Sequence, residues 1–463
     1  MDKQLPNDFR KLTIRERRRI LAELFSLTPA ELHSSGCEGE LLDMADVMVE
    51  SAAGFVPIPM GIAGGFLIDG IERSIPMATE EPSVIAAATY GAKILGRAGG
   101  IQTAIDEPVM TAQVFLEGVP TNHIQELCGS ARDPESPAVP GGKTASAGLK
   151  DLHSLLHREI ARILPAMTAR GGGYRDCDVV YLPDSRLLRI QIHIDVRDAM
   201  GANILNTAAE GIKPLLQKRY GGRSFMAILT NDSGFRLARA GFRMPLTVLR
   251  RRGIDSKVLA ERIVRASALA QEDPSRAVTH NKGIMNGITA LALATGNDTR
   301  GLEAAVHRFA SKHGRYRGLT QYRIDQDHLI GRIELPVPLG SVGGAIGFHP
   351  VARMALRILK VSSAGELGRI AAALGLVQNF SAISALVAEG IQHGHMRFHA
   401  LRLAYQAGAR DVEIAPVAAS VSEEGVFNLK SAHSQLQRFR RTSSAGADTA
   451  AGGTESGYGA GSQ

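Results

Sequence analysis

The chain has 463 residues, too many for one ordinary hydrophobic core, so two or three domains are expected. Its composition, 44% hydrophobic and 21% charged with a modest net charge of +7, is that of a soluble globular protein. Three scattered cysteines (Cys37, Cys128, Cys177) exclude a disulfide framework or a thiolate zinc site. No window reaches the roughly 18 apolar residues of a membrane span, and the charged N-terminus lacks a signal-peptide core, so the cytoplasm is the expected location.

Ile14, Ile20, Leu21, Leu24 and Phe25 recur at helical spacing and predict an amphipathic helix over 13–27. Residues 56–68, glycine-rich and containing Pro57 and Pro59, read as extended. The run 77–83 (Met-Ala-Thr-Glu-Glu-Pro-Ser) is expected to open a helix capped by Thr79, with Pro82 in its first turn, and Gly96, Gly99 and Gly100 are expected to stop it. Next come a strand over 109–116, a Pro/Ser/Gly-rich loop over 131–148 and a helix over 149–164. Strands around 178–182 and 187–194 and a helix over 198–212 follow. This β-α-β-β-α order predicts a small α+β unit, ferredoxin-like in outline. Long Ala/Leu-rich segments return over 219–390. Within them 370–391, interrupted by Gln378, Asn379 and Ser381, reads as a buried helix pair. The Gly/Ser/Ala/Thr tail from Thr442 is expected to be disordered.

Candidate chemistry centres on Thr279–Gly287 and Gly296-Asn297-Asp298, which set a lysine, amides and a carboxylate among glycines. Lys282, between Asn281 and Gly283, reads as held rather than as surface cover, and a held lysine polarises a carbonyl or neutralises an anion. Asp298 suits either an Asx turn or a catalytic role. Glu81, at the expected helix start, is explained equally by the helix dipole and by function, and Ser83 on the same turn could serve an anionic ligand. One straight helix over 283–295 would span about 20 Å and keep Lys282 from Asp298. In that case another segment or subunit must complete the site.

His395 and His399 have the spacing of a zinc helix but lack its glutamate and a third ligand. A general acid is the better reading of His395, with a core histidine as the plain alternative. Gly340–Ala345 and Asp198–Asn203 are glycine-bearing segments suited to close approach by a phosphate or ribose, though neither is a Rossmann or Walker sequence. Arginine clusters at 15–19, 250–252 and 438–441 are solvated faces, a nucleic-acid footprint, or a grip on a phosphate-rich ligand such as coenzyme A or a dinucleotide. No nucleic-acid motif accompanies them.

Together these segments resemble the 3-hydroxy-3-methylglutaryl-coenzyme A (HMG-CoA) reductase family, of the bacterial and archaeal second class, from about residue 5 to 440. Glu50-Ser51-Ala52-Ala53-Gly54 with Pro57, Pro59, Gly61 and Ala63 is similar to its substrate-binding signature. The runs 77–83, 198–203, 279–287, 296–298, 340–344 and 394–396 are similar to its other motifs, in its order. The resemblance implies an α+β fold: a large, mostly helical substrate-binding domain (1–107 and 219–390), an inserted ferredoxin-like, non-Rossmann dinucleotide-binding domain (108–218), a C-terminal helical flap (391–441) and the tail 442–463. It implies Glu81, Lys282, Asp298 and His395 as catalytic residues, and Arg10, Glu50, Ser83, Arg276 and Asn286 as substrate-binding. Asp198, Met200, Gly201 and Asn203 would bind the cofactor, NAD(H) by preference or NADP(H), with no metal.

The partners implied are HMG-CoA or mevalonate, coenzyme A, and a second subunit in a homodimer or larger homo-oligomer. No nucleic acid or membrane is expected. The family usually has Glu-Asn-Val-Ile-Gly where this chain has Glu50-Ser51-Ala52-Ala53-Gly54, which bears on substrate fit more than on reaction type. Arg175 and Asp176 are candidates to discriminate NAD from NADP. A non-catalytic coenzyme A- or nucleotide-binding protein is the remaining alternative; the joint presence of Lys282, Asp298 and His395 argues against it.

Overall fold

A computed structural model describes residues 12–25, 40–128, 147–251, 253–388, 390 and 392–451. The N-terminal part holds α1 (Ile14–Phe25), α2 (Glu40–Met48), a hairpin of β1 (Met60–Ile68) and β2 (Ile71–Ala78), α3 (Val84–Arg97) and β3 (Gln102–Ile105). The middle part holds β4 (Val109–Glu117), α4 (Thr121–Cys128), α5 (Ala147–Ile163), α6 (Pro165–Ala169), β5 (Gly173–Leu182), β6 (Leu187–Asp195), α7 (Ala202–Tyr220) and β7 (Arg223–Thr230). Then come β8 (Leu237–Pro245), α8 (Ser256–Glu272), α9 (Pro274–Ala294), α10 (Thr299–Ala310), β9 (Thr320–Asp325), β10 (His328–Pro336), α11 (Pro350–Leu359) and α12 (Ala364–Leu386). The chain closes with α13 (Gln392–Gln406), α14 (Ile414–Glu424) and α15 (Leu429–Ala451).

Two large apolar cores organise most of these elements, and α13, α14 and α15 pack around a third, minor one of their own. The larger of the two gathers the β1–β2 hairpin, α3, α9, α12 and an antiparallel sheet in the order β3-β8-β10-β9. It is therefore less purely helical than the sequence suggests, because strands with alternating burial, such as β8, present one apolar face to the helices. The smaller of the two packs α5 and α7 on an antiparallel sheet in the order β5-β6-β4-β7. Its β-α-β-β-α-β connectivity has the split arrangement expected from the strand pattern. The sheet is completed by β7, beyond the expected boundary at 218; Gly221 and Gly222, both at positive φ, turn the chain back from α7 into that strand.

The middle of the larger core is α12. It reads in sequence as two pieces but is one helix of 23 residues, capped by Ser363, whose hydroxyl accepts the Glu366 amide. Two of its buried polar residues, Ser381 and Asn379, are satisfied by neighbours, while Gln378 Oε1 and Ser384 Oγ are buried without a partner, and the helix runs through all four. Ser381 Oγ donates to Ala87 O at 2.7 Å, and Asn379 Oδ1 accepts from Thr320 and Tyr322, each at 2.9 Å. The helix is long and apolar enough to cross a membrane, yet most of it is buried in this core.

Three further expectations are corrected. The run 77–83 is not a helix start: β2 continues to Ala78, a turn follows, and α3 begins at Val84. Glu81 precedes Pro82, a position that disfavours helical backbone, and Ser83 adopts the left-handed region at φ 72°. The helix expected from 198 begins at Ala202, because Gly201 at φ 111° ends the preceding loop. The segment from Thr442 is helical as far as Ala451, as the alanine-rich continuation of α15 permits, while 452–463 lie outside the described residues.

Candidate active site

α9 carries the central lysine. Asp273 caps the helix by accepting Ser275 N, Pro274 takes the first position, and Ala277, Ile284, Ile288 and Leu291 bury one face. Asn281 fixes its rotation. Fully buried, it donates Nδ2 to Arg317 O (2.8 Å) while its Oδ1 accepts Leu319 N (3.0 Å). The next residue is therefore turned outward. Lys282 Nζ donates to Glu81 Oε2 at 2.6 Å, and Asn286, one turn on, reaches Glu81 Oε1 at 3.5 Å. Within one chain the Lys282 side chain is 60% exposed and Glu81 35%. The enclosed lysine read from the sequence is corrected: a Cβ on the adjacent Gly283 would touch nothing within 4 Å, so no wall stands on that side.

The turn holding Glu81 is shaped locally. Glu81 N donates to Thr79 Oγ1 at 3.1 Å. Ser83, in its strained backbone, occupies the cap position of α3 without spending its hydroxyl on a cap bond. The C-terminal helices reach the same turn, for Arg402 on α13 donates Nη2 to Glu80 O at 3.3 Å. His395 belongs to the same helix, two turns earlier, and its side chain lies outside those described.

Asp298 stands apart from this pair. Since α9 is unbroken, its end lies about 18 Å beyond Lys282 at 1.5 Å per residue. Asp298 caps α10, its Oδ1 accepting Arg300 N (3.0 Å) and Gly301 N (3.1 Å). Of the other expected substrate residues, Glu50 is exposed in the turn after α2 and Arg10 lies outside the described residues. Arg276 sits on α9, half-buried, and burial lowers the pKa of its guanidinium from the ordinary value. No hydrogen bond or ion pair joins either Glu50 or Arg276 to the Glu81–Lys282 pair among the described residues. The unusual Ser51-Ala52-Ala53 stretch serves packing: the Ala52 and Ala53 carbonyls accept from Arg17 Nη1 (2.9 Å) and Arg18 Nη1 (2.8 Å).

The two glycine-bearing segments meet. Ser341 N donates to Asp198 O at 2.9 Å, and Ala199 and Val342 form a parallel bridge. A Cβ on Gly340 would sit 2.6 Å from Met200 N, so only glycine admits this approach. Asp198 spends a carboxylate oxygen on Ala364 N at the start of α12 (2.8 Å), and Gly201 and Asn203 form the loop end and first turn of α7. Two residues hold the junction, Arg236, which the sequence did not single out, and Asn297. Arg236, 1% exposed, donates to the carbonyls of Ala199 (3.2 Å), Met200 (3.5 Å) and Leu339 (2.5 Å). Burial pulls its pKa down to about 10, still charged at neutral pH, with Asp198 and Asp195 nearby opposing the drop.

Asn297 grips Gly340 with both ends of its amide, at 2.7 and 3.1 Å, and so ties the loop to Asp298. Its place between Gly296 and Asp298 was a signal; nothing in the sequence marks Arg236. The cofactor candidates Arg175 and Asp176 lie on β5 at the edge of the smaller core, Arg175 pairing with Asp195 (2.6 Å) and Asp176 accepting from Cys177 N (2.8 Å). Among the described residues no His, Cys, Asp and Glu group converges to hold a metal.

The family model for hydroxymethylglutaryl-coenzyme A reductase matches residues 13–400. This chain belongs to that family. The HMG-CoA reductase of Archaeoglobus fulgidus is 38% identical to it over 443 residues, 95% of each chain. A probable HMG-CoA reductase of Borreliella burgdorferi is 33% identical over 396 residues, 86% of each. Among solved structures, an HMG-CoA reductase of Streptococcus pneumoniae aligns with a TM-score of 0.69 at 37% identity, covering 94% of this chain and 99% of its own. Another, described as class II and bound to NADPH in open conformations, aligns at 0.68 with 37% identity over 92% and 99%. As an HMG-CoA reductase, the chain is an oxidoreductase that uses a nicotinamide dinucleotide, built from helices and antiparallel sheets.

Proposed function

We propose that this chain interconverts HMG-CoA with mevalonate and coenzyme A by two hydride transfers, with mevaldehyde held between them. The observation that carries the reading is the Lys282–Glu81 pair at 2.6 Å, beside Asn286, on an open face of α9. When bound, the reduced nicotinamide supplies a hydride for each reduction.

The residues of the chain supply the rest. Lys282 donates to the oxyanion formed when the thioester carbonyl carbon gains its hydride, a charge that a fixed cation stabilises strongly once water is excluded. The C–S bond then breaks, and His395 gives a proton to the departing thiolate so that it cannot return to the aldehyde. After the second reduction Glu81, held by Lys282, delivers the proton that turns the alkoxide into the alcohol. Ser83, Arg276 and Asn286 are assigned to the carboxylate and oxygens of the substrate, and Glu50 and Arg10 to its outer parts.

Asp298 is assigned to orient Lys282 from a second subunit. The span of α9 separates the two within one chain, and the face around α2 and β1 leaves Val47, Val56 and Ile62 exposed, as an incomplete assembly would. The residues also suit a dinucleotide. The 198–203 segment (Asp198, Met200, Gly201, Asn203) and the 340–344 loop close tightly at Gly340, then open at Gly343, where a Cβ would meet nothing. NAD(H) is the expected form, with biosynthesis on NADP(H) the alternative; the NADPH of the Streptococcus relative supports NADP(H) as cofactor.

The reading is tested by Lys282→Ala. We expect it to abolish both half-reactions, a drop of about 100-fold or more, as for loss of an oxyanion donor. Lys282 is exposed and packs no core, so circular dichroism and melting temperature should not change. Substantial residual turnover would remove the oxyanion role.

A further inference from the structure

A chain of side-chain hydrogen bonds runs from α9 across α10 and back. Thr289 Oγ1 on α9 donates to Glu303 Oε1 on α10 at 2.7 Å. The other oxygen of that carboxylate, Oε2, lies 2.9 Å from His307 Nε2, one turn further along α10. His307 Nδ1 lies 2.6 Å from the hydroxyl of Tyr316, and the two rings stack with centroids 5.9 Å apart. The Tyr316 hydroxyl is hydrogen-bonded in turn to the side chain of Asn281, back on α9. A carboxylate only accepts, so Nε2 of a neutral His307 carries the proton and Nδ1 accepts from the tyrosine. Burial raises the pKa of Tyr316 above its ordinary value, so its hydroxyl keeps the proton it donates. Every link then has one donor and one acceptor, the arrangement in which neighbouring hydrogen bonds polarise one another. Water satisfies partly exposed groups such as Glu303 and His307 without help from the protein; here both are tied into the chain.

We propose that Glu303, His307 and Tyr316 form a brace that fixes the rotation of α9, and with it the aim of Lys282 at the reacting carbonyl. They are positioning residues, acting through Asn281 and Thr289. The proposal rests on the reductase reading of Lys282 and deepens it. The chain leaves α9 at Asn281 and returns at Thr289, and between these anchors lie Lys282 and Asn286, which both reach Glu81. Thr289 stands seven positions beyond Lys282, two helical turns, and so shares its face of the helix at a distance of about 10 Å. Asn281 is also held by the backbone of Arg317 and Leu319, so the Tyr316 link braces a residue that packing already fixes, while the Thr289 link holds the otherwise open face. Lys282 serves both hydride transfers in that reading. A loosened brace must therefore slow both, while the dinucleotide-binding segments, on other elements, are left in place.

The test uses the full chain as wild type, Tyr316→Phe, Glu303→Ala and Glu303→Gln, with circular dichroism to verify folding. Tyr316→Phe keeps the stacked ring and removes one hydroxyl. Glu303→Gln keeps both links, its amide oxygen accepting from His307 and its nitrogen donating to the Thr289 hydroxyl. Steady-state kinetics are measured with HMG-CoA and with free mevaldehyde, and hydrogen exchange of the α9 amides is measured without substrates. We expect Tyr316→Phe and Glu303→Ala to lower kcat about tenfold for both substrates, the order expected of a misaimed catalytic group, with the dinucleotide KM within twofold. Exchange over 281–289 should quicken about tenfold in the same two variants, and Glu303→Gln should restore both readouts to within about threefold of wild type. Unchanged kcat in the two variants, or a loss seen only in the dinucleotide KM, overturns the brace. So does a Glu303→Gln variant as impaired as Glu303→Ala, which would make the charge rather than the hydrogen bonds the active element. A wild-type chain that leaves HMG-CoA and mevaldehyde unreduced would defeat the proposed reaction instead, and hydrogen exchange alone would then decide the brace: unchanged exchange overturns it.

Discussion

At the scale of single residues, α9 alternates structural and chemical duties within three positions. His280 faces the core at 2% exposure, with Nε2 2.6 Å from Thr320 Oγ1, and Asn281 locks the helix to the 317–319 segment. Lys282 faces out to Glu81. The sequence showed that this stretch was unusual but could not separate the duties, because a histidine, an amide and a lysine in a row are all plausible ligands. The split depends on where β9 and α12 pack, which periodicity alone does not give.

His280 leads to a testable pH effect. Burial first, and then the charge of Arg276, lower its pKa from 6.5 to about 4. The unfolded chain thus binds a proton that the folded chain refuses between those values, and stability must fall as pH drops through that window. The full effect is about 3 kcal/mol, of which about 2 kcal/mol should be lost by pH 5. Urea unfolding at pH 7.5 and 5.0 measures it, and His280→Gln should flatten the difference. An equal slope in the variant would place the titration elsewhere. His395 makes a different prediction. His395→Gln should depress thioester turnover far more than reduction of free mevaldehyde, and equal losses would remove its role as proton donor to sulfur.

At the scale of elements, the helices and strands of the smaller core were legible because their apolar positions follow periods of 3.6 and 2. Errors gathered where a single backbone angle decides, as at Ser83 and Gly201, or where buried polar residues imitate a break, as in α12. The meeting of the two glycine-bearing segments was also hidden, since it joins residues about 140 positions apart. That junction is rigid on every side: Arg236 beneath, Asn297 across, and backbone against backbone at Gly340. Gly340→Ala should therefore force the 198–203 segment and the 340–344 loop apart by a few tenths of an ångström or more. The dinucleotide KM is expected to rise about tenfold, the order expected from a misplaced binding group, with the KM for HMG-CoA within twofold. Steady-state kinetics with each substrate varied decides this; unchanged values for both would mean the junction does not shape the cofactor site.

At the scale of the whole molecule, one chain presents the proposed catalytic lysine in the open and the proposed catalytic carboxylate a helix away. Composition predicted two or three domains, and the family resemblance implied which residues act, but neither could show that α9 runs unbroken from Pro274 to Ala294. That continuity makes the subunit question sharp. If Lys282 of one copy works with Asp298 of another, Lys282→Ala and Asp298→Ala are each inactive as homodimers but complement when subunits exchange. A mixed dimer has one site with both residues altered and one with both intact. Random exchange makes half the dimers mixed, so activity should recover to about a quarter of wild type in a two-fold assembly. Unfolding and refolding an equimolar mixture, followed by a turnover assay, reads this directly. Recovery near zero, with native mass spectrometry confirming that mixed dimers formed, would confine the site to a single chain and require α9 to bend during the reaction.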